Sequence, residues 1–288
     1  MIAAAASRHR RARGFTLVEL VLVIVIGGVL AATLAVFLRP AVDTWLALRS
    51  RTELSYQAAA ALRRMRDEVR IAVPNSIRTP GSQCIELVPT KAGARVRRAA
   101  DTRPGATTVP LDTSTTTTQF DVLSAFAQPA AVGDLVVIDN QNPGDVYAQA
   151  NVATITALGA ADRGVQRLTV TPRQFPTGYD GHRVLIVSSA SPSVFYVCEG
   201  ADGTLDAAGN GKGVLARVVR GLTAAYPTSC PGAASGAVIA TGVRSCRFVY
   251  DPSQGATQQS GFVSMQIELA RNGELASLVV GAHVANVP

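Results

Sequence analysis

Residues 15–38, FTLVELVLVIVIGGVLAATLAVFL, hold a single ionisable side chain, Glu19. An apolar run of that length can cross a hydrocarbon core as a helix. It predicts a chain anchored in, or delivered through, a membrane. Arg8, Arg10, Arg11 and Arg13 precede the run, and the positive-inside rule keeps such an N-terminus cytoplasmic and places the bulk of the chain beyond the inner membrane. These four residues also supply four of the +7 formal charges, leaving +3 for everything after them. So small an excess predicts no nucleic-acid partner, and Arg95, Arg97 and Arg98 read as solvated surface because no aromatic residues are interleaved with them. A secretory signal cut near AATLA (31–35) is an alternative, but the apolar run is longer than an ordinary signal core and continues past that point.

A carboxylate at mid-bilayer costs roughly 2.5–3.5 kcal/mol on insertion scales, so one placed in a membrane helix usually has a partner. The stretch RGFTLVEL (13–20) resembles the cleavage and methylation motif of type IV prepilins and type II secretion pseudopilins. The resemblance implies that Gly14 ends a leader and that a prepilin peptidase cuts before Phe15 and methylates its new amine. It also implies that Glu19, fifth in the mature chain, attracts the Phe15 amine of a neighbouring subunit. A plain signal anchor with Glu19 snorkelling to the interface is the other reading.

Arg39-Pro40 predicts a boundary, since proline removes a backbone donor and kinks or interrupts a helix. The helical pattern then resumes. Val42, Trp45 and Leu46, then Ala58, Leu62, Met65 and Val69, recur at spacings of three and four, with Arg49, Arg51, Glu53, Arg63, Arg64, Asp67 and Glu68 between them. Val73-Pro74-Asn75 ends the helix. Gly27 and Gly28 mark either a weak point or a close helix contact in the membrane.

From about residue 80 the pattern turns to short β-rich runs. Strands are expected at 84–88, 120–123, 134–139, 146–158, 167–171, 183–189, 194–198, 213–221, 243–251, 261–270 and 275–285. RNGE (271–274) reads as a hairpin turn, and DTSTTTTQF (112–120) as a loop or edge segment. Cys84, Cys198, Cys230 and Cys246 all lie beyond the apolar run, where an oxidising compartment favours disulfides. Three pairings exist and sequence does not choose among them. Closing a short Gly/Ala/Ser-rich loop favours Cys230–Cys246, which leaves Cys84–Cys198.

No catalytic or metal constellation stands out. His9, His182 and His283 are isolated, and Ser188, Ser189 and Ser191 lack a nucleophile-elbow context. GNGKG (209–213) lacks the setting of a phosphate loop. Asp139, Asn140, Asn142 and Asp145, and likewise Asp202, Asp206 and Asn210, could offer oxygens to calcium, but neither set has EF-hand spacing and both read as turn chemistry. No cofactor, metal or enzymatic activity is expected.

The expected fold is α+β: a leader (1–14), a membrane and assembly helix (15–39), its amphipathic continuation (40–73), and a β-rich head (74–288) whose large antiparallel sheet packs on the helix. The stretches at 178–200, 243–252 and 280–288 also resemble the MshO family of MSHA pilus biogenesis proteins. Together the resemblances imply a minor pilin at or near a filament tip. Its partners would be a prepilin peptidase, other pilins or pseudopilins, an inner-membrane assembly platform and the membrane itself. A minor J-type pseudopilin of a type II secretion system, and a membrane-anchored ligand-binding or enzymatic domain, are the alternatives.

Overall fold

The computed structural model describes residues 14–176, 182–254 and 260–285. The leader positions before Gly14, with His9, and parts of the 178–200 and 280–288 stretches lie outside them. The chain divides into two compact units, Met1–Ser50 and Arg51–Pro288.

One helix, α1, runs Leu17–Arg70 and belongs to both units. It runs through Pro40, so the two expected helical stretches form one element. A proline here removes one backbone hydrogen bond among many, and the Thr44 hydroxyl donates to the Pro40 carbonyl at 2.7 Å, so the turn that follows keeps a polar tie. In the second unit Leu54, Ala58, Ala61, Leu62, Met65 and Val69 form a buried stripe. Arg70 ends the helix. Ala72 then bridges to Pro89, and Asn75 adopts a positive φ of 59° that one more helical turn would not allow.

The stripe lies on a seven-stranded antiparallel sheet. Its order is β1 (Arg78–Gly81), β2 (Cys84–Leu87), β9 (Ser193–Glu199), β10 (Gly213–Arg220), β11 (Ala237–Gln254), β12 (Ser260–Arg271) and β13 (Glu274–Ala285). Ile85, Leu87, Tyr196, Leu215, Phe248, Met265 and Ile267 join the helix stripe in one core. The flanks are polar: the Arg217 Nε–H donates to Glu68 at 3.0 Å, and Arg51 pairs with Glu274. The β12–β13 hairpin turns at Asn272 and Gly273, whose φ values of 51° and 80° fit a type I′ turn.

The remaining strands form a second sheet ordered β3 (Ala92–Arg95), β8 (Arg183–Val187), β5 (Leu135–Val137), β6 (Val152–Gly159), β7 (Gln166–Gln174) and β4 (Thr116–Val122). It closes on itself. Val96 bridges Val122, the Arg97 N–H donates to the Asp121 carbonyl at 2.9 Å, and the Leu123 N–H donates to the Arg95 carbonyl at 2.8 Å. The small barrel is filled by Phe120, Val122, Val136, Ile155, Leu168, Phe175, Val184 and Ile186, among others.

The α+β architecture agrees with the sequence, with the β residues shared between two sheets. Residues 146–151, expected as part of a strand, are a compact turn. The Ala148 N–H donates to the Gly144 carbonyl, and the Tyr147 hydroxyl donates to the Ser76 carbonyl at 2.6 Å, burying the ring outside any strand. The threonine-rich segment contributes β4, the strand whose pairing with 95–97 closes the barrel.

The disulfides are Cys84–Cys230 and Cys198–Cys246. This corrects the favoured pairing, and strand alternation supplies the reason. Cys84 lies opposite Val197, and successive residues face opposite sides of a sheet. Ile85, Leu87 and Cys198 face the helix-side core, whereas Cys84 clusters with Phe195, Val197 and Val218 on the other side. Cys84 and Cys198 are thus separated by the thickness of the sheet.

Candidate processing and assembly site

The first unit begins with a helix start written into four residues. Thr16 precedes α1, and its hydroxyl accepts the Glu19 N–H at 3.2 Å while its carbonyl accepts the Leu20 N–H. Thr16 is therefore the N-cap and Glu19 the third helical residue, the T-x-x-E spacing of a capping box. That signal, readable at 16–19, fixes the start of the helix through Thr16 and the backbone of Glu19. An acidic side chain in the first turn also complements the positive end of the helix dipole.

Gly14 and Phe15 lie just before the cap. Phe15 is 81% exposed, and a Cβ added at Gly14 would meet nothing within 4 Å. The same holds at Gly27 and Gly28. Neither packing nor a positive φ within this chain asks for glycine at these three positions. Every large hydrophobic side chain from Leu17 to Leu38 is exposed, on all sides of the helix. Such a surface needs lipid or other helices as its solvent. α1 is the helix among the described residues that is long and apolar enough to cross a membrane.

The other candidate residues have structural partners. Asp206 accepts from the N–H groups of Ala208 and Asn210, and Asp202 accepts from Thr204. These bonds hold both carboxyls below their usual range. Asp145 accepts from Asn142, Gln141 donates to Asp139, and Asn140 donates to the Pro74 carbonyl. No group of three or more potential metal ligands occurs among the described residues. His182 Nε2 lies 3.0 Å from Arg98, and the His283 ring packs at 5.0 Å from that of Phe262. Ser188 stays in a turn as the acceptor of the Ala190 N–H.

A family model described as the prokaryotic N-terminal methylation motif matches residues 9–35. The match supports a type IV pilin-like protein, anchored in the membrane through this helix and processed as such proteins are. No curated protein and no solved structure matched the chain.

Proposed function

We propose that this chain is a minor pilin, of the kind that serves MSHA pilus biogenesis, cut by a prepilin peptidase between Gly14 and Phe15 and packed into a filament or at its tip. Its head would pass from the periplasm to the filament surface. The observation that carries the reading is the methylation motif in register with the start of an apolar helix that is exposed on every side. Gly14 supports it, because recognition by a peptidase explains a glycine that internal packing does not require. Gly27 and Gly28 would let neighbouring helices approach closely in the filament. Glu19 would be the charge partner of the Phe15 amine on an adjacent subunit, a pair that hydrocarbon strengthens, while its own N–H is held by the Thr16 cap.

The test is to express the chain with a cognate prepilin peptidase and measure the N-terminus by mass spectrometry. The expected product starts at N-methylated Phe15, and cleavage elsewhere overturns the proposal. Glu19→Gln then tests the pairing, since glutamine keeps the spacing of the helix start but carries no charge. Cleavage should persist while incorporation into filaments falls. Normal incorporation of Glu19→Gln would overturn the pairing with the Phe15 amine.

A further inference from the structure

The two edges of the seven-stranded sheet are finished differently. β1 is four residues long and contains Pro80, which has no N–H to offer a further strand. Residues 221–230 cross the face turned away from α1, over Glu86, and are fastened to this edge. Cys230 is bonded to Cys84, the Arg78 guanidinium donates to the carbonyls of Thr223, Ala224 and Ala225, and the Tyr226 hydroxyl accepts the Thr79 N–H at 3.0 Å. Short strands, prolines and covering loops protect an edge from further pairing.

β13, at the other edge, has none of these protections. Its 12 residues pair with β12 without a register shift, from Glu274 opposite Arg271 to Ala285 opposite Ser260. From Leu275 to Ala285, LASLVVGAHVA, it holds no proline, aspartate, glutamate, lysine or arginine. The two-residue type I′ turn makes Arg271 and Glu274 a hydrogen-bonded pair, and such pairs alternate with non-bonded ones along an antiparallel ladder. The even-numbered residues of β13 therefore bond to β12, while the N–H and C=O groups of Leu275, Ser277, Val279, Gly281 and His283 point out of the sheet. None of these outward groups has a hydrogen-bond partner among the described residues. The Phe262 ring lies where a Cβ on Gly281 would be, and an aromatic ring laid over a glycine helps to hold an edge strand in register.

The side chains define the strand that fits. On the α1 side Ala276, Ala282 and Val284 are buried in the core, but Leu278 and Val280 are only half-buried against it, with no further strand beside them. An added strand would complete their burial if its own side chains on that side are apolar, whereas a charge there would lose its water without gaining a partner. A second copy does not supply such a strand. β13 paired antiparallel to itself sets the two α1 stripes in opposite directions, but chains anchored in one membrane run alike. β13 paired parallel to itself brings its other row, with Ser277, Gly281 and His283, beside Leu278 and Val280. We propose that β13 takes up an extended segment of a different protein as an additional strand, a segment free of proline whose apolar side chains alternate on the α1 side. Excluding the antiparallel second copy rests on the membrane anchor, while strand addition itself does not depend on how the N-terminus is processed.

The experiment uses the full chain in detergent and a fluorescein-labelled peptide of residues 262–270, FVSMQIELA, whose Val263, Met265, Ile267 and Leu269 supply an alternating apolar face. Fluorescence anisotropy, with empty micelles as the blank, should show saturable binding. Two further peptides carry backbone N-methyl groups, one at Val263, Met265 and Ile267 and the other at Ser264, Gln266 and Glu268. Only one of these sets of N–H groups can face β13, so one peptide should bind about tenfold more weakly and the other like the parent. Val279→Pro removes an outward N–H and no bond to β12, and should also weaken binding about tenfold. The methylated peptides decide the matter even if that variant fails to fold. Absence of saturable binding overturns the proposal, as does equal binding of the two methylated peptides or unchanged binding by folded Val279→Pro. Parent-like binding of a peptide with Val263→Ser, Met265→Ser and Ile267→Ser overturns the apolar requirement and the proposal with it. A dimer of the chain in analytical ultracentrifugation that Val279→Pro dissociates would make a second copy the occupant and overturn the choice of a different protein.

Discussion

The two stretches of α1 make opposite demands on their surroundings. Between Leu17 and Leu38 the large apolar side chains point in every direction and all are exposed, whereas between Leu54 and Val69 they fall on one stripe and are buried. Helix propensity does not distinguish the stretches, since both are helical. What differs is the angular spread of the apolar residues. A stripe can be satisfied by one sheet within the chain, but an all-round apolar surface can be satisfied only by lipid or by other helices. The chain therefore folds its C-terminal part alone and needs an external solvent for its N-terminal part.

That contrast is open to direct attack. Replacing all four cysteines by alanine should cause the largest loss of head stability, about 2–5 kcal/mol for each disulfide, measured by denaturant unfolding with near-UV circular dichroism. Leu62→Ala, at a fully buried position, should cost about 2–5 kcal/mol in the same assay. Leu22→Ala should leave head unfolding within about 0.5 kcal/mol of the parent, and a larger effect would show that the stretches are not energetically separate. At the N-terminus, Thr16→Ala should weaken the helix start by about 0.5–2 kcal/mol, read as faster hydrogen exchange at residues 17–20 with the head unaffected.

The smallest effect expected is in pH dependence. The Glu86 carboxyl is raised above 4.5 by burial, so the folded chain holds this proton more tightly than the unfolded chain does. Its contribution to stability is fully present below the unfolded value and is lost as pH rises from there through the raised folded value. Glu86→Gln should remove that downward slope, and an unchanged slope would assign it to another group.

The N-terminal features were legible because they are local. Apolar run and motif occupy adjacent residues, the Thr16 cap beside them was readable but not read, and most strands announced themselves by β-branched alternation. β1 and β3, with sequences RTPG and AGAR, were not legible because they lack that composition and are held by their neighbours. The disulfide pairing needed strand register, which decides the face on which each cysteine lies, and register is not a local property. Glu86 is the one charge within the strand expected at 84–88 and drew no expectation of burial, because only the crossing of the 221–230 segment turns an outward-facing strand position into a buried one.

The barrel sits between strands that are partners. β2 ends at Leu87 and β9 begins at Ser193, and Leu87 pairs with Val194, so the barrel takes the place that a turn occupies in an ordinary hairpin. An open loop of that length slows the meeting of its ends, although each doubling of length costs only about 0.6 kcal/mol. A barrel that folds first removes the delay. The Lys91 N–H donates to the Ile186 carbonyl at 2.7 Å, fastening the entry and exit of the barrel to each other. The search for β9 by β2 then becomes nearly as local as closing a tight turn. Nesting thus predicts an order of assembly in the head, with the inner module forming before the outer sheet is completed, and a destabilised barrel should be felt first as slow refolding of the sheet around it.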